Sequence, residues 1–126
     1  MLIFANVFFI FSFYSIVQGA REMIRKASIM FVHKDQFDEY KRRHDEIWPE
    51  MVKGLKHHGA HNYSIFLEKE TGKLFAYLEI EDEDRWNQMA KSDICKKWWD
   101  YMAPLMETNS DNSPRSVNLD ELFYLA

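Results

Sequence analysis

Two runs of alternating side chains, Ala60 to Leu67 and Leu74 to Ile80, stand on either side of Lys69-Glu70-Thr71-Gly72. In the first run Tyr63, Ile65 and Leu67 fall on one side, and Asn62, Ser64 and Phe66 on the other. A period of two makes each run a strand, and a short turn closed by glycine joins such neighbours as an antiparallel hairpin. A hairpin alone is at best marginally stable in water; it needs further strands or a covering helical layer. The rest of the chain has to supply them.

It does so on both flanks. Upstream, Ile24 to Val32 predicts a strand, followed by His33-Lys34-Asp35, with Asp35 as the cap of a helix from about Gln36. Pro49 interrupts that helix, because an interior proline ring clashes with the preceding turn, and its preference for a first helical position predicts a second piece starting there. Met51, Val52 and Leu55 give that piece an apolar face, and Gly59 is its left-handed stop. Downstream, Glu81-Asp82-Glu83-Asp84 places negative charge where a helix dipole favours it. The helical region then runs to about Met106 with a break near Ser92. Thr108 to Ser116, holding Pro114, reads as a polar loop. Val117 to Leu125 predicts a last strand, with Val117, Leu119, Leu122 and Phe123 available for burial. The order is β-α-β-β-α-β, an α+β ferredoxin-like arrangement with a four-stranded antiparallel sheet. Helices cover one face of that sheet. In a chain that is 16% aromatic the other face does not stay in water, and a homodimer pairing two such faces is expected.

The 126 residues amount to one domain. Residues Met1 to Ala20 carry no charged side chain and are nearly continuously apolar from Leu2 to Val17. That stretch is shorter than the roughly 20 apolar residues of a spanning helix, so no membrane anchor is expected. Gly19 and Ala20 fit a signal-peptide cleavage point, but the leading Lys or Arg is missing. Met23 followed by Ile24-Arg25-Lys26-Ala27 reads as the start of a folded domain. We therefore expect 1–22 to be an apolar leader outside the fold, from translated upstream sequence or a signal peptide, and 23–126 to be the domain. A net charge of -4 gives no footprint for nucleic acid. The single cysteine, Cys95, excludes an internal disulfide and points to a reducing, cytoplasmic setting, or to export if the leader is a genuine signal.

The candidate chemistry starts on the first helix. Tyr40, His44 and Trp48 are spaced four apart and share one face, where an ordinary amphipathic helix would carry Leu, Ile or Val. A phenol, an imidazole and an indole in one stripe look like the lining of a pocket for a polar, ring-shaped ligand. His44 is the proton carrier in that reading, and Trp48 a packing residue whose N–H finds a partner. Arg42 and Arg43 point elsewhere and are expected in solvent. Trp98 and Trp99 are adjacent, so both cannot face the core squarely, and one is expected toward a groove or a partner. His57, His58 and His61 form no metal site by spacing: adjacent helical residues point about 100° apart, and Cys95 has no cysteine companion. Tyr63 by itself reads as sheet packing, and Glu79 and Glu81 as solvated or capping acids. No phosphate loop, Ser-His-Asp pattern or dinucleotide fingerprint is present.

Taken in order, Tyr40-x-x-x-His44-x-x-Ile47-Trp48-Pro49-Glu50, His58-Gly59-Ala60-His61-Asn62-Tyr63, Trp98-Trp99 and Asp111-Asn112-Ser113-Pro114 closely resemble the L-rhamnose mutarotase family. The resemblance runs from Met23 to Ala126. It implies ferredoxin-like subunits paired as a dimeric α+β barrel, each holding a monosaccharide between helix and sheet. It implies an isomerase interconverting the α and β anomers of L-rhamnose in rhamnose catabolism, with neither cofactor nor metal. It further implies His44 as proton donor, and Tyr40, Tyr63, Trp98 and Trp99 as substrate-binding residues. Two other readings share parts of this pattern: a cofactor-free or haem-linked monooxygenase on the same barrel, and a non-catalytic sugar-binding module.

Overall fold

The computed structural model describes residues 22–126. The expected apolar leader, 1–22, lies outside them apart from Glu22, an exposed residue just ahead of the first strand. Strand β1 spans Ile24–Phe31. Helices α1 (Phe37–Asp45) and α2 (Pro49–His57) follow, then strands β2 (Ala60–Glu68) and β3 (Lys73–Ile80). Helices α3 (Glu83–Asn87) and α4 (Asp93–Met102) lead to a short β4 (Val117–Leu119). The four strands lie in the order β2-β3-β1-β4, with every neighbouring pair antiparallel. This is the ferredoxin-like split βαβ arrangement. Among the described residues no helix is long and apolar enough to cross a membrane.

Local chemistry explains most of the boundaries. The hairpin turn closes with the Gly72 N–H donating to the Glu68 carbonyl at 3.0 Å. The Glu68 carboxylate collects the N–H groups of Glu70 at 3.1 Å and Thr71 at 2.8 Å. Gly72 sits at φ +75°, a conformation that costs glycine little. Pro49 is at the start of α2 and Gly59, at φ +84°, follows its end. Asp82 caps α3 by accepting from the Arg85 N–H at 2.8 Å, and Ser92 caps α4 from Cys95 at 3.4 Å. The expected break near Ser92 is therefore a cap preceded by a 3-10 turn at Met89–Lys91.

Asp35 does not cap α1. It lies inside a 3-10 turn, Lys34–Gln36, in which the Gln36 N–H donates to the His33 carbonyl at 2.9 Å. The tighter turn satisfies a donor at the helix entrance, so no side-chain cap is made.

Leu74, Ala76, Leu78 and Ile80 of β3 point at the helices and are buried. Leu74 and Ala76 join Met30 of β1 and a layer of Met51, Met89, Trp98 and Met102 from the helical side, while Leu78 and Ile80 pack with Ala60, Leu55 and Trp86. Register places Ile29 and Phe66 beside Phe75 on the opposite face. Val117 and Leu119 extend that face opposite Ile29 and Ala27. Phe66 is 66% exposed there.

The last strand is much shorter than Val117 to Leu125. It pairs with β1 only over three residues, and Leu122 and Phe123 are 95% and 81% exposed. The tail is held instead by Arg25, which donates to Glu121 at 2.9 Å and lies 3.3 Å over the ring of Tyr124. Apolar side chains are buried only where a second layer covers them, and the described residues provide none on this face.

A methyl group on Gly72 would lie 2.5 Å from the Val32 carbonyl oxygen and would also meet a positive φ. Gly72→Ala is expected to cost about 2 kcal/mol, a fall in the melting midpoint on the order of 10 °C by circular dichroism. At Gly59 the nearest atom is the movable Glu81 carboxylate, so Gly59→Ala should cost less.

Candidate active site

Helix α1 lays Tyr40 and His44 side by side, one turn apart, with rings stacked at 4.3 Å and 26°. The edge of Trp98, from α4, meets His44 at 5.4 Å and 87°. Behind them Trp48 packs edge-on against Trp98 at 5.1 Å and stacks on Tyr101 at 5.1 Å. Tyr40 and His44 of α1, Trp98 and Tyr101 of α4 and Trp48 therefore form one continuous wall. Trp48 stands beyond the expected helical stripe, because α1 ends at Asp45 and Trp48 is in extended backbone as the N-cap of α2. Trp48 belongs to the back of the wall. It packs against the core and does not line the cleft.

Arg43 is not in solvent. Its side chain is 18% exposed, it lies 4.1 Å over the Tyr101 ring, and it donates to the Tyr101 carbonyl and to Glu39, the latter at 2.8 Å. Sequence spacing puts Arg43 off the Tyr40–His44 face correctly, but the end of α4 comes to meet it there. Arg42 does stay outside, paired with Glu39 and Glu46.

Between this wall and the sheet opens a cleft of about 1150 Å³. Tyr40, His44, Tyr63, Trp98 and Trp99, the five residues singled out by sequence, all line it. Trp98 is buried at 6% exposure and Trp99 half-buried, so the cleft wraps far enough around α4 to reach both. Tyr63 enters from β2. The residue as a whole is 42% exposed, but its hydroxyl end lies deep enough among protein atoms for burial to raise its pKa.

Protonation states follow from these positions. The Nδ1 of His44 lies 3.0 Å from the Tyr40 carbonyl. A carbonyl can only accept, so Nδ1 carries the hydrogen and the neutral ring keeps its lone pair on Nε2. Burial lowers the His44 pKa, outweighing the opposing pull of the Tyr40 carbonyl and of Asp45. Burial, with Tyr63 nearby, pushes the Tyr40 phenol well above the ordinary tyrosine range. At neutral pH the cleft thus holds an uncharged imidazole and two intact phenols able to donate hydrogen bonds.

Sequence reasoning missed several cleft residues, Cys95, Asn109 and Ser113 among them. Cys95 lines the wall as a buried thiol whose pKa burial raises to about 11, so it stays protonated. Asn109 and Ser113 reach the rim from the loop before β4. The Asp111-Asn112-Ser113-Pro114 run was the available signal for them. Asn112 adopts φ +66° and its amide donates to Asp100 of α4 at 3.0 Å, which ties this loop to the helix carrying both tryptophans.

The other candidates lie away from the cleft. His58 bonds the Gly54 carbonyl at 2.7 Å, and His61 pairs with Glu81 at 3.3 Å. Glu79 accepts from Asn62 and Tyr77 on the opposite sheet face.

The fold and cleft define an α+β protein that gathers an imidazole, two phenols and two indoles between helices and sheet. A family model described as L-rhamnose mutarotase matches residues 25–125. The L-rhamnose mutarotase of Bacillus subtilis (strain 168) is 66% identical over 103 residues, covering 82% of this chain and 99% of that protein. The crystal structure of an L-rhamnose mutarotase from Formosa agariphila superposes with a TM-score of 0.76 at 44% identity, covering 82% of this chain and 99% of its own. The chain belongs to the L-rhamnose mutarotase family. An antibiotic biosynthesis monooxygenase structure is similar at a TM-score of 0.53 but only 11% identity, covering 78% of this chain and 97% of its own, a likeness of fold alone.

Because the folded chain resists protonating His44 below the ordinary value of 6.5 while the unfolded chain does not, the unfolded state binds the extra proton first. Stability should therefore be constant above that value and decline as pH falls from it toward the folded pKa. NMR titration of the His44 ring should give a midpoint below 6.5, and His44→Gln should remove this part of the acid sensitivity.

Proposed function

We propose that this chain is an L-rhamnose mutarotase, an isomerase that interconverts the α and β anomers of L-rhamnopyranose. The reading rests on His44, whose Nδ1 faces the Tyr40 carbonyl and so leaves the lone pair to Nε2, in a cleft lined by two phenols and two indoles. Changing anomer requires the O1 hydroxyl to lose a proton and the ring oxygen O5 to gain one. Both oxygens are bonded to C1, so one nitrogen can serve both. The Nε2 lone pair takes the O1 proton, C1=O1 forms, and the C1–O5 bond breaks with its electron pair going to O5. The imidazolium delivers its proton to O5 in its role as donor. Rotation about the C1–C2 bond and the reverse steps close the ring on the other carbonyl face. Tyr40, one turn from His44, and Tyr63, from the sheet, hold sugar hydroxyls; Trp98 and Trp99 wall the apolar face of the ring. Protons start and finish on the sugar, so the balance needs no added reactant.

His44→Ala should slow anomer exchange by about 10² to 10⁴ in kcat. Saturation transfer between the two anomeric protons of L-rhamnose measures it against spontaneous exchange. Tyr40→Phe should lose about tenfold, mostly in KM. The acid limb of the rate profile should lie below the ordinary histidine pKa, because protonated Nε2 cannot accept. Saturable rhamnose binding with no faster exchange than buffer would reduce the protein to a sugar-binding module.

The same reading includes a homodimer, supported by the open apolar face of Phe66, Phe75, Val117 and Leu119. Light scattering coupled to gel filtration should find twice the chain mass, and Phe66→Glu should shift it toward the monomer. A reducing, cytoplasmic location belongs to this reading too, supported by Cys95 as a free buried thiol.

A further inference from the structure

Strand β2 contains one residue too many. His61 lies opposite Glu79 and Ser64 opposite Tyr77, so three steps on β2 face two on β3. Ala60, opposite Ile80, is buried toward the helices. Strict alternation from Ala60 would put Asn62 on the helix side and Tyr63 on the open side, the wrong side of the sheet from His44. Tyr63 nonetheless lines the cleft. The extra residue that reverses it is Asn62, at φ +47°. A bulge of this kind bends the strand and re-aims the neighbouring side chain. Asparagine is among the few residues other than glycine that tolerate the left-handed region. The Asn62 side-chain amide also donates to the Glu79 carboxylate, which accepts from the Tyr77 hydroxyl at 3.3 Å on its other oxygen. The bulge is thereby pinned from the face opposite the cleft.

We propose that Asn62 is a positioning residue: its left-handed backbone and its bond to Glu79 turn the Tyr63 hydroxyl into the sugar cleft. The proposal rests on the reading of Tyr63 as a sugar-holding residue. A β-carbon without a polar side chain disfavours the left-handed conformation and loses the Glu79 contact at once; glycine loses only the contact.

The test is a double-mutant cycle on kcat/KM for rhamnose anomer exchange, with melting midpoints measured alongside. Tyr63→Phe should lower kcat/KM about tenfold, the effect of one hydrogen bond. Asn62→Ala should lower it by about as much, chiefly through KM, and Asn62→Gly should stay within about threefold of wild type. In the Tyr63→Phe background Asn62→Ala should cost nothing further. Equal losses in both backgrounds overturn the proposal, because Asn62 is then acting on something other than the Tyr63 hydroxyl. Wild-type kcat/KM in Asn62→Ala, with Tyr63→Phe impaired, overturns the proposal alone. Unchanged kcat/KM in Tyr63→Phe overturns the reading of Tyr63 and the proposal with it. Should Asn62→Ala be insoluble, Asn62→Asp takes its place: aspartate tolerates the left-handed backbone, but its carboxylate repels that of Glu79 and should lower kcat/KM where Asn62→Gly does not. Its loss too must vanish in the Tyr63→Phe background.

Discussion

The antiparallel pairing of β1 with β3, from Ile24↔Ile80 to Phe31↔Lys73, is the constraint on which the rest of the molecule depends. It inserts the first strand between the hairpin and the last strand. Both helical segments then have to cross the same face, and α1 and α4 come to lie over one sheet. Without that pairing His44 and Trp98, 54 residues apart, would have no reason to meet. The cleft exists because two helices carrying large rings cannot pack flat on the sheet between them. Trp48 and Tyr101 fill the space behind Trp98, and Arg43 closes it by holding Tyr101.

Burial serves chemistry here as well as stability. The rings that keep water from His44 also lower its affinity for a proton, and the Tyr40 carbonyl fixes which nitrogen keeps its lone pair. One residue, Tyr40, thus supplies a backbone acceptor to the imidazole and a phenol to the cleft. The same desolvation keeps Tyr40 and Cys95 protonated, so His44 is the group in this wall whose lone pair is available near neutrality.

The two sheet faces divide the labour. One holds the core and the cleft; the other carries Phe66, Phe75, Val117 and Leu119 in the open. Asn62 links them, since its side chain is anchored to Glu79 on the open face while its backbone turns Tyr63 toward the covered one.

Much of this is local and therefore legible in the residues alone. The four-residue spacing of Tyr40 and His44, the helix start at Pro49, the stop at Gly59 and the hairpin at Gly72 each depend on a few bonds along the chain. The element order followed from them, and the family motifs added Tyr63, Trp98 and Trp99. What only the tertiary structure decided are contacts between distant segments. Arg43 is drawn out of solvent by Tyr101, and Cys95 and Asn109 acquire a place in the cleft. The last strand ends at Leu119, although apolar residues that suggested a strand continue to Leu125. Side-chain periodicity records which face a residue takes in a regular element. It does not record what stands opposite, nor the one-residue bulge at Asn62 that changes the face.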